Sequence, residues 1–462
     1  MRVEKRVVSR IARKRIVMLF LCVGFSYLLA ARIRSEAHGA VRAVDFASVY
    51  YAARCELQHR DAYDPQTVLR EFDADGGKLP NTRPGEDRIA RDVITKVFYP
   101  PTALLLAFPL ALLPWNAALT AWMSLVAGLM AAAAFLMWDL AGDAPLAAGV
   151  IACFMLLNCV LLLLVGNPAG VAVPACVIAA WCIFKERFAV AGVVLLAIAL
   201  VVKPHDAGFV WLFFLLAGGT GRRRALQALA TAAVVGVCAL AWIAPSSPHW
   251  IQEEHNNIAS YGVRGGGDDP GPTGMNYAGP FTIISLQNAV SIFRNDPNFY
   301  DPLSYGIVGG LILWWMVAVL RKRPTQDGAL LALAGVSCLT LLVGYHRPHD
   351  AKLLLLAIPA CAILWAGGGA KRWVALGLTG TAIFVTSDFP LFFLSAAQGH
   401  LAISDATFSG KLALLLLHPA PLVLLAAGCF YLWVYMRHKP VEIEAVAELE
   451  AAIGRTSETA AI

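Results

Sequence analysis

The chain has 462 residues, of which 58% are hydrophobic and only 15% are charged, and its formal net charge is +6. Several uncharged apolar runs reach the length of about 17 to 25 residues that crosses a bilayer core, which excludes a water-soluble globular protein. The composition predicts an all-α polytopic membrane protein. Because the excess Lys and Arg lie in short loops, the charge carries topology information, and we expect no nucleic-acid partner.

Thirteen hydrophobic runs follow one another along the chain. They cover residues 16–31, 98–113, 115–138, 145–165, 168–184, 188–202, 206–220, 225–244, 303–320, 329–344, 351–369, 372–394 and 411–436. The first run follows a basic segment, and no small-residue cleavage site precedes Arg32, so we predict a retained helix rather than a signal peptide.

Basic clusters in the later loops predict which side of the membrane each loop occupies. From Lys185 onward all of them fall on one side, which the positive-inside rule makes cytoplasmic. Counting backward places Trp115 outside, where the first helix also ends, so the run 98–113 should not span. That run is short and contains Pro100, Pro101 and Pro109, which predicts a re-entrant or interfacial hairpin. About twelve transmembrane helices remain, with both termini cytoplasmic.

The domain organisation follows from this topology. Residues 1–436 form one predicted membrane domain, with outer loops at about 32–114 and 245–302, and residues 437–462 form a cytoplasmic acidic tail. Nine of the ten cysteines lie in apolar segments and no Cys/His ligand spacing is present, so we expect neither a disulfide framework nor a zinc site.

The predicted outer face collects most of the unusual polar residues. Each has a structural alternative: Lys203 can extend along the interface, Asn167 can be a turn residue, and tyrosines suit an interfacial belt. Asp206 and Asp350 can be helix-capping acids. A function is favoured for the cluster of two imidazoles, a guanidinium and an acid, which comprises His346, Arg347, His349 and Asp350.

This outer face predicts an anion site beside a base. Lys203 and Arg347 supply permanent positive charge, and His346 and His349 supply donors, so these four residues are predicted to bind a phosphate. Asp45, just beyond the first run, is then placed to accept a proton from a hydroxyl. A lipid-phosphate leaving group and a hydroxyl nucleophile require this combination.

Several short motifs occur in order along residues 40–350. They are Asp45-Phe with Tyr50-Tyr51-Ala-Ala, Asp61-Ala-Tyr63-Asp64-Pro, Phe98-Tyr99-Pro-Pro101, Gly166-Asn167, Lys203-Pro204, Ser285-Leu-Gln287-Asn288 and His346 to Asp350. In this set the chain resembles GT-C type glycosyltransferases that use polyprenyl-phosphate sugars, and most of all glycosyltransferase family 87, which includes mycobacterial mannosyltransferases. The chain departs from that family in having Asn167 where Gln is common, and in the order of Ser285 to Asn288.

The resemblance implies a function and a set of site residues. Asp45 would be the general base of an inverting transfer from a polyprenyl monophosphate sugar to a glycolipid or glycan hydroxyl, without metal or other cofactor. Substrate contacts are assigned to Tyr50, Tyr51, Tyr99, Asn167, His205, Gln287, Asn288 and Asp350. The family implies a bacterial inner membrane location, with the active site facing the periplasm.

Three alternatives remain open at this level. Mannose is the expected sugar and arabinofuranose the competitor, with the same mechanism. A twelve-span secondary transporter also fits the helix count, although the two halves are not alike and few polar groups lie in mid-span. A noncatalytic scaffold gives no reason for the cluster at His346 to Asp350.

Overall fold

The computed structural model describes residues 16–27, 29–30, 43–77, 86–142, 145–277, 282–322, 324–388, 390, 393 and 407–438. Regular structure within these ranges is helical and includes no strand, which confirms the predicted all-α class. The basic amino terminus and all but the first two residues of the predicted tail lie outside the described residues.

The helices with described bounds are numbered here in chain order. They are α1 Ile16–Tyr27, α2 Val44–Leu57, α3 Pro65–Ala74, α4 Glu86–Thr95, α5 Pro101–Ala111, α6 Trp115–Leu140, α7 Pro145–Leu157, α8 Val160–Val165, α9 Ala169–Phe184, α10 Ala189–Val202, α11 Pro204–Ala217, α12 Gly219–Ile243, α13 Trp250–Gly262, α14 Leu286–Ser291, α15 Pro297–Arg321, α16 Gln326–Thr340, a 3-10 helix Asp350–Leu356, α17 Ala357–Gly367, α18 Gly369–Val385, α19 Phe408–Leu417 and α20 Ala420–Arg437.

Six segments of the described chain are long and apolar enough to cross a membrane. They are Trp115–Leu140, Leu146–Val165, Gly219–Ile243, Pro297–Arg321, Asp350–Gly367 and Ala420–Arg437. Seven apolar helices are shorter, and α10 with its 14 residues covers about 21 Å. The arrangement of twelve spans with both termini cytoplasmic requires most of these shorter helices to cross, and it stays a prediction.

Helix α5 occupies the run for which the sequence predicts a hairpin. Its 11 residues cover about 16 Å, roughly half of a hydrocarbon core, so α5 alone is too short to cross. The helix packs against α2 and α12. The tyrosine hydroxyl of Tyr50 in α2 donates to the carbonyl of Leu113 just beyond α5, 2.7 Å away, so the two helices are also joined by a hydrogen bond.

The apolar segment Leu146–Val165 is broken in its second half. Helix α7 ends at Leu157 and α8 begins at Val160, and the side-chain amide of Asn158 donates to the carbonyl of Phe154, 2.7 Å away. Helix α8 then ends at Gly166, whose φ of 67° lies in the left-handed region that favours glycine. A Cβ on Gly166 would lie 2.8 Å from the Cβ of Phe46, so glycine also permits α8 to approach α2.

The two outer loops predicted from sequence contribute to one structure. The sequence beyond the first hydrophobic run predicts a helix over Asp45 to Gln58, and helix α2 covers Val44–Leu57, within one residue at each end. Its aromatic face packs on the start of α6, where Phe46 stacks on Trp115 at 5.6 Å. The second loop joins the segment before the 3-10 helix, because the amide of Ile284 donates to the carbonyl of His346, 2.9 Å away.

Candidate functional site

Asp45 lies in the first turn of α2 and is half-buried. Its Oδ2 accepts a hydrogen bond from Nδ2 of Asn167, 2.7 Å away. Burial raises the pKa of Asp45, and this rise is opposed by the Asn167 hydrogen bond and by the positive charges of Arg347 and Lys203. The carboxylate is therefore a stronger base than an ordinary surface aspartate.

The amide of Asn167 connects this acid to a buried cation. Its Oδ1 accepts from the backbone N–H of Ala169 at 2.8 Å and faces Nζ of Lys203 at 3.5 Å. Because these two partners are donors, they fix which end of the amide is oxygen, and Nδ2 must point at Asp45. The hydroxyl of Tyr99 lies 3.4 Å from the same Nδ2, so Tyr99 also adjoins the site.

Lys203 lies at the junction of α10 and α11 and is only 5% exposed. Its Nζ is 2.5 Å from Oδ1 of Asp350 and 3.6 Å from Oδ2 of Asp206, and both carboxylates are fully buried. Burial would lower the pKa of Lys203, but the two carboxylates outweigh it and raise that pKa. Lys203 is therefore a fixed ammonium group rather than a side chain extended along the interface.

The two imidazoles of the cluster have opposite protonation states. Nδ1 of His346 lies 3.2 Å from Oδ1 of Asp206 and 3.6 Å from Oδ2 of Asp350. Burial alone would lower the pKa of His346, and the two carboxylates overcome it and raise the pKa to about 9. Burial dominates at His349 and lowers its pKa to about 3. His346 is thus an imidazolium at neutral pH, whereas His349 is neutral.

Asp206 is the main site residue that the sequence analysis did not select. Its position in the first turn of α11 is typical of a helix-capping acid, and no side-chain cap hydrogen bond occurs there. The structure instead places the carboxylate between Lys203 and His346. The usable signal in the sequence was the spacing of Lys203 and Asp206, which puts them on one face of a helical turn.

Arg347 faces the second outer loop rather than the acids around Lys203. Its guanidinium donates to Oδ1 of Asp268 and to the carbonyl of Gly267, both at 2.9 Å, and to the hydroxyl of Tyr345. Asp269 organises the same loop by accepting from the backbone amide of Gly265 at 2.7 Å. Arg347 therefore joins this glycine-rich loop to the cluster, and its role at a donor phosphate stays a prediction.

The remaining predicted substrate contacts fall into two groups. His205 is exposed and lies beside the cluster, with its ring centroid 5.1 Å from that of His346. The other four are engaged elsewhere in the protein, and their role in substrate binding is untested. They are Tyr50 with Leu113, Tyr51 with Asp75, Gln287 with Asp301, and Asn288 with Pro270.

Among the described residues, one group has the chemistry to hold a metal ion. It consists of His205, Asp206 and His346, whose ligand atoms lie within 4.8 Å of one another. Ligands on a tetrahedral zinc lie about 3.3 Å apart, so the group would have to contract to bind one. The Lys203 ammonium and a protonated His346 already neutralise the carboxylate of Asp206, so the arrangement favours an ion-pair network over a metal centre.

We expect the Lys203→Met variant to be strongly destabilised. The substitution leaves Asp350 and Asp206 buried beside one fewer cation, and removing one partner of a buried ion pair costs about 3–5 kcal/mol. The thermal unfolding midpoint of the purified protein measures the loss. Lys185→Met is the matched control, because Lys185 pairs with Asp139 at 3.3 Å where both side chains are partly exposed, and about 1 kcal/mol or less is expected. Equal shifts in the two variants would contradict the buried-pair interpretation.

The fold and this cluster define a helical membrane protein with a carboxylate, Asp45, beside a buried cationic centre at the ends of its helices. The family model of glycosyltransferase family 87 matches residues 98–344, which is more than half of the chain. The chain therefore belongs to glycosyltransferase family 87, and it is a membrane glycosyltransferase. No curated protein and no solved structure is measurably similar to it.

Family membership confirms the resemblance expected from the motifs and decides against the secondary transporter and the scaffold. The matched range includes Tyr99, Asn167 and Lys203, but it excludes Asp45 and the cluster that begins at His346. The connection of Asp45 to the family region therefore rests on the structure, in which Asn167 and Lys203 contact the excluded segments.

Proposed function

We propose that this protein transfers a sugar, most favourably mannose, from a polyprenyl monophosphate donor to a hydroxyl of a lipid or glycan, with Asp45 as the general base. The observation that carries the proposal is the bridge through Asn167, which joins the Asp45 carboxylate to the Lys203 ammonium. One amide therefore holds both a base and a cation. The base can take the proton of the attacking hydroxyl, and the cation can stabilise the phosphate oxygen that leaves the anomeric carbon.

The proposed reaction has a definite proton and charge balance. The acceptor O–H gives its proton to Asp45 while its oxygen bonds to the anomeric carbon from the face opposite the phosphate. The bond from the anomeric carbon to the phosphate oxygen breaks, and polyprenyl phosphate leaves with one additional negative charge. Lys203 and His346 are the cations placed to stabilise that charge, and attack from the opposite face inverts the anomeric configuration.

The carboxylates around these cations have a function in this scheme. Asp350 and Asp206 hold Lys203 and His346 in fixed orientations, so the cations do not need to reorganise when the leaving group forms. An imidazolium has two N–H donors, and His346 directs Nδ1 at the two carboxylates, so its Nε2 is the donor proposed for the phosphate, while Lys203 contributes its charge. The proposal includes a reaction on the outer face of a bacterial inner membrane, and the charge pattern of the loops supports the choice of the outer face.

Purified protein in detergent or liposomes tests the proposal with a panel of donors and a membrane lipid extract as acceptor. We expect product from polyprenyl-phosphate mannose and none from GDP-mannose, and we expect polyprenyl-phosphate arabinofuranose to react more slowly or not at all. NMR of the purified product should show an inverted anomeric configuration. Transfer from the nucleotide sugar, or retention of configuration, would overturn the mechanism.

A further inference from the structure

A second buried charge pair lies next to the candidate site and has no part in the proposed chemistry. Lys352 is 1% exposed, and its Nζ donates to the carbonyl of Asn158 at 2.7 Å and lies 3.9 Å from Oδ1 of Asp388. Lys352 is two residues after Asp350 in the same 3-10 helix. The same short 3-10 helix therefore contributes Asp350, which pairs with Lys203, and Lys352, which pairs with Asp388.

This pair satisfies the backbone groups that the break between α7 and α8 leaves without helical partners. Lys352 takes the carbonyl of Asn158 on one side of the break. Oδ2 of Asp388 accepts from the backbone N–H of Leu161 on the other side, 2.8 Å away. Unpaired backbone groups buried away from water are costly, so the two side chains stabilise the broken geometry itself.

Helix α8 connects the α7–α8 break to the helix that contains the proposed base, Asp45. The carbonyl of Leu164 accepts from the amide of Ala43, at the start of α2, 2.9 Å away. The carbonyl of Gly166 accepts from Nε1 of Trp122 at 3.0 Å, and the next residue is Asn167. The position of the Asn167 amide relative to Asp45 is thus set by the direction of α8.

A straight helix would cross the membrane without any buried charge. The segment Leu146–Val165 has 20 residues and no charged one, enough for a continuous span, and a continuous span would need neither Lys352 nor Asp388. Buried ion pairs are weak contributors to net stability compared with apolar packing. The cost of this pair is therefore better explained by the geometry it maintains than by stability alone.

We propose that Lys352 and Asp388 are positioning residues, which hold the α7–α8 break so that Asn167 donates to Asp45. The proposal rests on the proposed role of Asp45 as the base. Neither residue touches substrate in this scheme, and both act through Asn167. Their loss should slow the chemical step and leave donor binding at Lys203 and His346 intact.

A double-mutant cycle that combines substitutions of Lys352 and Asn167 tests the proposal. The assay uses membrane lipid extract as acceptor and polyprenyl-phosphate mannose as donor, or the donor of the panel that is found to be transferred. We expect Lys352→Met to lower kcat by between about ten- and a hundredfold, as a misplacement of about 1 Å does, with donor KM nearly unchanged. Asn167→Ala should give a similar loss. The double variant should be no slower than the slower single variant, because both changes remove one interaction.

The pH profile gives a readout that general destabilisation does not produce. The Asn167 hydrogen bond lowers the pKa of Asp45, so its loss should raise that pKa and move the acidic limb of the kcat profile to higher pH. The same shift is expected in Lys352→Met and in Asn167→Ala. Tyr431→Phe is the matched control, because it removes a buried hydrogen bond to Thr379 of 2.6 Å elsewhere in the helices and should leave the limb in place.

Asp388→Ala removes the acceptor of the Leu161 amide and provides the test if Lys352→Met does not fold, with the same loss of kcat and the same shift of the acidic limb expected. Multiplicative losses in the cycle, an unshifted limb, or kcat no lower than in Tyr431→Phe would each overturn the positioning role. Full activity of Asp45→Asn would instead overturn the proposed function. Inactive Asp45→Asn together with a multiplicative cycle would remove the positioning role alone.

Discussion

The Asp45→Asn variant should bind the donor but transfer sugar far more slowly, with kcat lowered by roughly 10²–10⁴-fold, the contribution of a general base. Asparagine keeps the volume of the side chain and can still accept from Asn167, so the hydrogen bond of 2.7 Å has a substitute. It cannot take the acceptor proton. A selective loss of kcat with unchanged donor affinity is therefore the signature of a base rather than of a structural acid.

The measurement needs two assays on one preparation. Donor affinity is read from binding of polyprenyl-phosphate mannose to the purified variant, and turnover is read from transfer to the lipid extract. Asp139→Asn is the matched control, because Asp139 lies at the carboxyl end of α6 and bonds Nε1 of Trp181 at 2.9 Å. That variant should retain turnover, and retained turnover in Asp45→Asn would remove Asp45 from the mechanism.

The location of the site could be predicted from sequence because it depends on local signals and topology. The basic loops predict a common side for Lys203 and the segment from His346 to Asp350, and in the structure Nζ of Lys203 lies 2.5 Å from Oδ1 of Asp350. The bounds of α2 could be predicted because residues 44–57 form an uninterrupted run of helix-compatible residues between polar segments. Periodicity and charge carry such information within a window of a few tens of residues.

The pairings that shape the site could not be predicted in the same way. Lys352 bonds a carbonyl 194 residues away, and Asp388 bonds an amide 227 residues away. No local pattern marks such a partner, and the sequence predicts a span over 145–165 without indicating the break between α7 and α8 inside it. Asp206 was missed for a related reason, since a capping acid and a buried counter-ion occupy the same place in a helical pattern.

The tyrosines illustrate how a motif can lie beside a site while its side chains face elsewhere. The first turn of α2 places Asp45 at the cluster, whereas Tyr50 and Tyr51, one turn later, pack on Trp115. Tyr51 donates to Asp75 at 3.1 Å, which ties α2 to the end of α3. Their packing on Trp115 holds in place helix α2, which contains Asp45, and their contact with substrate stays a prediction.

The Asp206→Asn variant should bind the donor about ten- to a hundredfold more weakly above neutral pH, since a hydrogen bond to a charged group contributes about 1.5–3 kcal/mol. Burial lowers the pKa of His346, and Asp206 and Asp350 raise it to about 9. Without the Asp206 charge, burial is opposed by Asp350 alone, and the pKa of His346 must fall. His346 then loses its proton, and its attraction for the phosphate, at a lower pH.

The donor phosphate should bind the protonated form of His346, and this sets the direction in which donor affinity changes with pH. In the unaltered protein His346 is charged below its pKa of about 9, so donor affinity should persist through neutral pH and fall as the pH rises through that value. In Asp206→Asn the same fall should occur at lower pH, and acidification should restore affinity. Titration of polyprenyl-phosphate mannose binding, from well below the ordinary histidine pKa of 6.5 to above 9, measures both curves.

His346→Gln separates this effect from a general weakening of the site. Glutamine offers a donor but does not titrate, so donor affinity should be low throughout and the fall near pH 9 should disappear. If the fall persists in His346→Gln, another group is responsible for it. If Asp206→Asn binds the donor with the same pH profile as the unaltered protein, the contact of 3.2 Å between Asp206 and His346 does not set the charge of that imidazole.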